Sequence, residues 1–239
     1  PKYSNPQGIV YSDAVVDRLA ALRPAAPDFA LMWDNAYCLH EVYGEFVPFR
    51  DMLTLCREAG NADMVYEFAS TSKITFPGAG VAVMAASEAN LKYLSGLLGA
   101  QTISYDKVNQ LRHVRFLQDK AHVLELMQRH AAILRPKFEA VLAALRGIAP
   151  LGIASWTEPK GGYFISCDAM PGTAKRVLAL CAEAGVTMTP AGATYPGGND
   201  PADSNIRIAP SFPPVEELEQ AMQIFCLALR MAALEKLGI

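Results

Sequence analysis

The sequence predicts an α/β protein: a layered domain with a mainly parallel sheet sandwiched by helices, then a smaller α+β domain reached through a long helix. Three observations carry this. In the first hundred or so residues, short continuous apolar runs at 29–33, 64–66 and 80–85 alternate with helical periodicity, as strands buried on both faces do in layered α/β domains. From about Asp106 to Arg146 the apolar spacing is helical. After that, short strand candidates alternate with amphipathic helices.

In order along the chain, Ser12 is an N-cap candidate for a helix reaching about Leu22, with Val15, Val16, Leu19 and Leu22 on one face. The run 29–33 ends at Asp34. The run 64–66 leads into Phe68-Ala69-Ser70-Thr71-Ser72-Lys73. The run 80–85 has no polar side chain and is expected at the centre of the sheet. Ser87 caps a helix to about Leu98, and Pro136 marks a kink or a fresh start in the long helical stretch. Strands are expected at 153–156, 163–167 and 206–209, and helices at 173–184 and 215–237. The last helix repeats apolar residues at Leu218, Met222, Phe225 and Leu229. Residues 192–203 are Gly/Pro-rich and expected as a mobile loop.

Composition narrows the function. With 51% hydrophobic and 19% charged residues, the 239-residue chain is a folded globular protein with room for a large core. A net charge of −3, with no long Lys/Arg run, does not suggest a nucleic-acid partner. No apolar run approaches the roughly 20 residues of a membrane span. The five cysteines form no C-x-x-C pair and read as reduced thiols of a cytoplasmic protein. The four histidines form no H-x-x-x-H pattern, so no metal is expected. The chain opens on Pro1 without a leader and is read as lacking an N-terminal portion.

Singly, the candidate residues are unremarkable: a lysine is usually on the surface, a strand-end aspartate caps a turn, and Asn-Pro forms turns. Two features raise Asp34 and Lys73. Both follow the carboxyl end of an apolar run, where α/β sheets collect their chemistry. Their order also matters. Asn5-Pro6-Gln7-Gly8, Asp34-Asn35-Ala36-Tyr37, Ser70-Thr71-Ser72-Lys73 and Asn205-Ile206-Arg207 resemble, in sequence and spacing, the motif series of fold type I, class I/II pyridoxal-phosphate aminotransferases. Pro159-Lys160-Gly161-Gly162-Tyr163-Phe164 resembles a further element of that family. The texture from Phe68 to Gly80 looks like the MocR-like subgroup, which includes atypical aspartate aminotransferases.

The resemblance implies the C-terminal part of a pyridoxal-phosphate-dependent transferase fold. Residues 1–115 would be what remains of the large cofactor-binding domain, and 116–239 the connecting helix and small domain. It implies pyridoxal 5'-phosphate bound covalently to Lys73, with Asp34 keeping the ring nitrogen protonated and Tyr37 and Asn5 on the ring 3-oxygen. The Lys73 amine must be neutral to react, which calls for a cationic, partly dry setting. Ser70 and Ser72 would hold the phosphate, and Arg207 would pair in bidentate fashion with a substrate α-carboxylate. One departure stands out: the family's phosphate-clamping arginine falls at Val81 here, so phosphate contact is expected to lean on Ser70, Ser72, the Gly78-Ala79-Gly80 backbone and groups upstream of Pro1. In this fold Asn109, Arg112 and Arg115 lie near a dimer interface. One of the arginines reading a distal carboxylate competes there with a plain solvated helix face.

The implied activity is transfer of an amino group between an amino acid, aspartate or glutamate among the candidates, and a 2-oxo acid, by a homodimer. Two alternatives share these motifs: another reaction of the same fold, such as a lyase or racemase, and a ligand-sensing domain of a transcriptional regulator. The intact set of catalytic residues favours the enzyme.

Overall fold

The computed structural model describes all 239 residues. They form two compact units: Pro1–Ser4, Val10–Leu39 and Glu45–Met127 make the first, and Asn5–Ile9, His40–Gly44 and Gln128–Ile239 the second.

The first unit begins with α1 (Asp13–Ala20), whose Ser12 hydroxyl accepts from the Val15 N–H as an N-cap should. β1 (Leu31–Asp34) follows, then α2 (Met52–Glu58), which the sequence pattern had not revealed. At seven residues α2 is too short to show a period, but Asp51 caps it by accepting from both the amide and the hydroxyl of Thr54. β2 (Val65–Ser70) and β3 (Ala82–Ala86) complete a sheet ordered β1-β2-β3. Val16, Ala20, Trp33, Met52, Cys56, Met64 and Val65 form the buried cluster on which α1, α2 and the two parallel strands converge. The unit continues into α3 (Glu88–Gln101), capped by Ser87, and α4 (Lys107–Leu117), capped by Asp106.

β1 and β2 are parallel, with Leu31 opposite Val65 and Asp34 opposite Phe68. β2 and β3 are antiparallel, with Ser70 opposite Ala82. Within this chain the sheet is therefore mixed, and the all-apolar β3 ends it where the sequence suggested a central place. Val83 is 61% exposed and α3 buries none of its residues. Continuous apolarity encodes the wish for cover on both faces, but it does not say which element supplies the cover.

α5 (Lys120–Ile148) carries the chain into the second unit. It runs through Pro136 without a break. The helical stretch is interrupted instead at Gln118, whose φ of 54° ends α4. β4 (Ala154–Trp156), β5 (Ile165–Ala169) and β6 (Asn205–Ile208) make an antiparallel sheet in that order, with α6 (Ala174–Glu183) between β5 and β6 in sequence and α7 (Val215–Leu237) after β6. Phe138, Val141 and Leu145 of α5, Ile165 and Cys167 of β5, Val177 and Cys181 of α6, and Met222, Phe225 and Leu229 of α7 share one core. The Gly/Pro-rich stretch before β6 is laced together. Asp200 accepts from the amides of Ala202, Ser204 and Asn205 at 2.9, 2.8 and 2.8 Å, which holds its carboxyl below the usual range.

Phe138 and Phe225 are both fully buried in that core. Either Phe→Ala change is expected to cost about 3–5 kcal/mol of unfolding free energy in urea titration. A loss under about 1 kcal/mol would contradict this packing.

Candidate active site

The first unit gathers five of the expected site residues through one strand pairing. Because β1 and β2 run parallel in the register Asp34–Phe68, both chains leave the sheet at the same edge. Asp34 ends β1, and Ser70, ending β2, leads directly into Thr71, Ser72 and Lys73. The turn after Asp34 is pinned to β2 twice: the Asn35 amide donates to Phe68 O at 2.8 Å, and the Asn35 side chain donates to the Glu67 carboxylate. One Asp34 oxygen accepts from the Ala36 amide at 3.1 Å, and Tyr37 is buried below. Asp34 and Lys73 themselves are exposed. The partly dry setting that Lys73 was expected to need is not supplied by this chain's own side chains.

The segment carrying Lys73 is a clipped loop. Thr71 and Val81 exchange bonds: the Thr71 amide donates to Val81 O and the Val81 amide donates to the Thr71 hydroxyl, both at 2.9 Å. Thr71 O also accepts from the amides of Ile74 and Thr75 at 2.9 and 2.8 Å, which folds a helical turn around Lys73. Val81, standing where an arginine was expected, thus contributes through its backbone. Gly80 keeps the hydroxyl of Ser72 accessible: a Cβ there would lie 2.7 Å from Ser72 Oγ. Two serine hydroxyls, a carboxylate, a phenol and an amine on one sheet edge suit a cofactor with a phosphate, a basic ring nitrogen, a ring oxygen and a carbonyl carbon. The donor set therefore fits pyridoxal phosphate.

The second unit gathers the other two. Arg207 on β6 donates from Nη1 to Asn5 Oδ1 at 3.1 Å, and its guanidinium carbon lies 4.6 Å from the centre of the Phe164 ring. Its Nε is buried without a hydrogen-bond partner, so the fork retains a donor for an anion. Asn5 is held there because its turn packs on the Pro159–Phe164 motif. Gly8, at φ 67°, sits so close that a Cβ would fall 2.6 Å from Pro159 Cβ and 2.9 Å from Phe164 O. Three sequence motifs from opposite ends of the chain thus meet inside one unit. Asn5 Oδ1 serves Arg207, which leaves its NH2 group to donate elsewhere.

Asn109 has a structural partner: its NH2 donates to Ala79 O at 2.8 Å, while Arg112 and Arg115 are exposed. Sequence reasoning missed Thr71, Thr75, His113 and the Asn35–Glu67 pair. A signal for the last was present, since Glu67 is the one charged residue of β2 and interrupts an apolar run.

The chain has the α/β fold of aminotransferases. It belongs to the aspartate aminotransferase family, whose model matches residues 1–238. An aspartate aminotransferase of Corynebacterium glutamicum is 47% identical over 236 residues, covering 98% of this chain and 55% of that protein. The crystal structure of an aspartate transaminase from C. glutamicum superposes with a TM-score of 0.96 at 47% identity, over 99% of this chain and 56% of that one. The α-aminoadipate aminotransferase LysN of Thermus thermophilus, solved with N-(5'-phosphopyridoxyl)-L-leucine, shares the fold at a TM-score of 0.79 and 24% identity, over 98% of this chain and 58% of its own. The chain thus spans little more than half the length of these relatives.

Burial pushes the Glu67 carboxyl up from its ordinary 4.5, against the opposing pull of the Asn35 bond. A raised acid binds its proton more tightly when folded, so its contribution to stability is full below about 4.5 and is lost as pH rises through the raised folded value. Glu67→Gln keeps an oxygen for Asn35 and avoids the buried charge. Thermal unfolding is expected to show a higher Tm than wild type at pH 8 and no gain at pH 4. A gain at pH 4 that vanished at pH 8 would reverse the sign and refute the assignment.

Proposed function

We propose that this chain supplies the cofactor lysine and the carboxylate-binding arginine of a pyridoxal-phosphate-dependent aminotransferase, active as a cytoplasmic homodimer. The observation that carries the reading is the shared exit of Asp34 and Ser70-Thr71-Ser72-Lys73 from a parallel strand pair. The substrates are an amino acid and a 2-oxo acid, with aspartate favoured by the name of the C. glutamicum relative and glutamate the other candidate. The texture from Phe68 to Gly80 supports the MocR-like, atypical aspartate aminotransferase subgroup. No helix is long and apolar enough to cross a membrane, and the five cysteines are free thiols, as suits the proposed setting.

The bound cofactor supplies an electron sink for the pair left when the substrate Cα–H bond breaks. The rest falls to the protein. Lys73 Nζ would hold the cofactor and, once the substrate amine has displaced it, would be the free amine that takes the proton from Cα and hands it on. The Asp34 carboxylate keeps a proton on the ring nitrogen by charge pairing. The Tyr37 hydroxyl would donate to the ring 3-oxygen. Ser70 and Ser72 donate hydroxyl hydrogens to the phosphate, helped by backbone amides of the 78–80 segment. Arg207 fixes the α-carboxylate by two parallel bonds, its plane set by Asn5 Oδ1 and the Phe164 ring.

In the cofactor-loaded protein, aspartate or glutamate is expected to discharge the cofactor colour and release a 2-oxo acid, and a second 2-oxo acid to restore it. Ammonia or a racemised amino acid in place of a 2-oxo acid would refute transamination. Lys73→Ala is expected to lower turnover at least ~10²–10⁴-fold, the range of a positioned acid–base group. Arg207→Lys keeps the charge but loses the fork, and kcat/KM is expected to fall ~10–100-fold, equivalent to about 1.5–3 kcal/mol. An Arg207→Lys enzyme with unchanged kcat/KM would remove Arg207 from the site.

A further inference from the structure

α4 buries one residue, and that residue is a histidine. His113 is 6% exposed, whereas Val108, Leu111, Val114 and Phe116 on the same helix are all exposed. Helices normally dock through an apolar stripe. This one reaches the Lys73 loop through polar atoms. The Asn109 side chain donates to Ala79 O at 2.8 Å. His113 Nδ1 lies 2.9 Å from Asn109 O, and His113 Nε2 lies 2.8 Å from the Thr75 hydroxyl. Thr75 and Ala79 both belong to the turn that follows Lys73, and Thr75 is bound through its amide to Thr71 on the other side of the lysine.

The hydrogen positions follow from the partners. A carbonyl only accepts, so Nδ1 must carry a hydrogen to bond Asn109 O. Nε2 of the neutral ring is then an acceptor, and the Thr75 hydroxyl is the donor that meets it. The Thr75 hydroxyl also lies 3.1 Å from Thr71 O, but that oxygen already accepts two backbone amides, so turning the hydroxyl hydrogen to His113 leaves no polar group unmet. With Val81 in place of the expected arginine, the lysine loop is fastened by the Val81 backbone on one side and by α4 on the other.

We propose that His113 is a positioning residue for Lys73: with its ring hydrogen on Nδ1, it accepts the Thr75 hydroxyl hydrogen and so fixes the helical turn from which the Lys73 amine projects. This role rests on the reading of Lys73 as the cofactor lysine. His113 itself meets neither substrate nor cofactor. A lysine that must shuttle a proton between two carbons depends on placement at the ångström scale, so a loosened turn slows the proton transfer without weakening substrate capture.

The test uses His113→Ala, His113→Gln and Thr75→Val. Gln offers Thr75 an oxygen acceptor, and Val removes the hydroxyl at constant shape. In the loaded protein, kcat per bound cofactor is expected to fall about tenfold or more in His113→Ala and Thr75→Val, with KM for the amino acid changed less than about threefold. The pH midpoint of the lysine-bound cofactor's colour is expected to move in both variants, and His113→Gln to recover most of each effect. Without cofactor, side-chain ¹⁵N signals are expected to show a protonated Nδ1 and a bare Nε2 at neutral pH. Amide exchange across 71–81 is expected to quicken in His113→Ala. A His113→Ala protein that only melts lower, with kcat per cofactor and colour midpoint unmoved, overturns the proposal, as does a hydrogen found on Nε2 alone. Retention of the lysine-bound colour in Lys73→Ala overturns instead the functional reading on which it stands.

Discussion

The parallel register of β1 and β2 is the constraint on which the first unit's chemistry depends. Parallel strands send their chains out of the same edge, and the match of Asp34 to Phe68 sets the carboxylate beside the start of the Ser70–Lys73 segment. A shift of one residue would turn every side chain of a strand to the opposite face. The register is guarded by Asn35, just past β1: its backbone amide donates to the Phe68 carbonyl and its side chain to the Glu67 carboxylate. Retaining a half-buried carboxyl in that strand costs stability at high pH, and the return is a defined turn after Asp34.

The second unit solves a related problem with different means. On the proposed reading, Arg207 presents a flat, charged fork to a carboxylate. Asn5 Oδ1 and the Phe164 ring hold the guanidinium plane with neutral groups, so its full charge remains for a ligand. The strand bearing Arg207 is held in turn by Asn205, which donates to Ser166 and Asp168 across the sheet, and by the amide cage around Asp200.

The elements that carry the candidate residues were legible in the sequence because strand ends and helix caps leave local marks. Asp34 and Lys73 each follow an apolar run, and Ser12 and Ser87 cap the helices expected of them. The less legible features depend on partners distant in the chain. The apolar run at 80–85 reads as central, yet β3 lies at the end of the sheet, because apolarity records a need for cover without naming the neighbour. Pro136 reads as a kink or a fresh start, yet α5 continues through it and the helical stretch breaks at Gln118 instead. His113 reads as one more helical histidine. Its meaning appears only when the fold brings it to Thr75, 38 positions away.

The central claim is that Lys73 holds the cofactor, and reductive trapping tests it most directly. The protein is loaded with pyridoxal phosphate, reduced with borohydride, digested and mapped by mass spectrometry. A stable phosphopyridoxyl group is expected on the peptide containing Lys73 and on no other lysine. Trapping at a different lysine, with Lys73 unmodified, would contradict it.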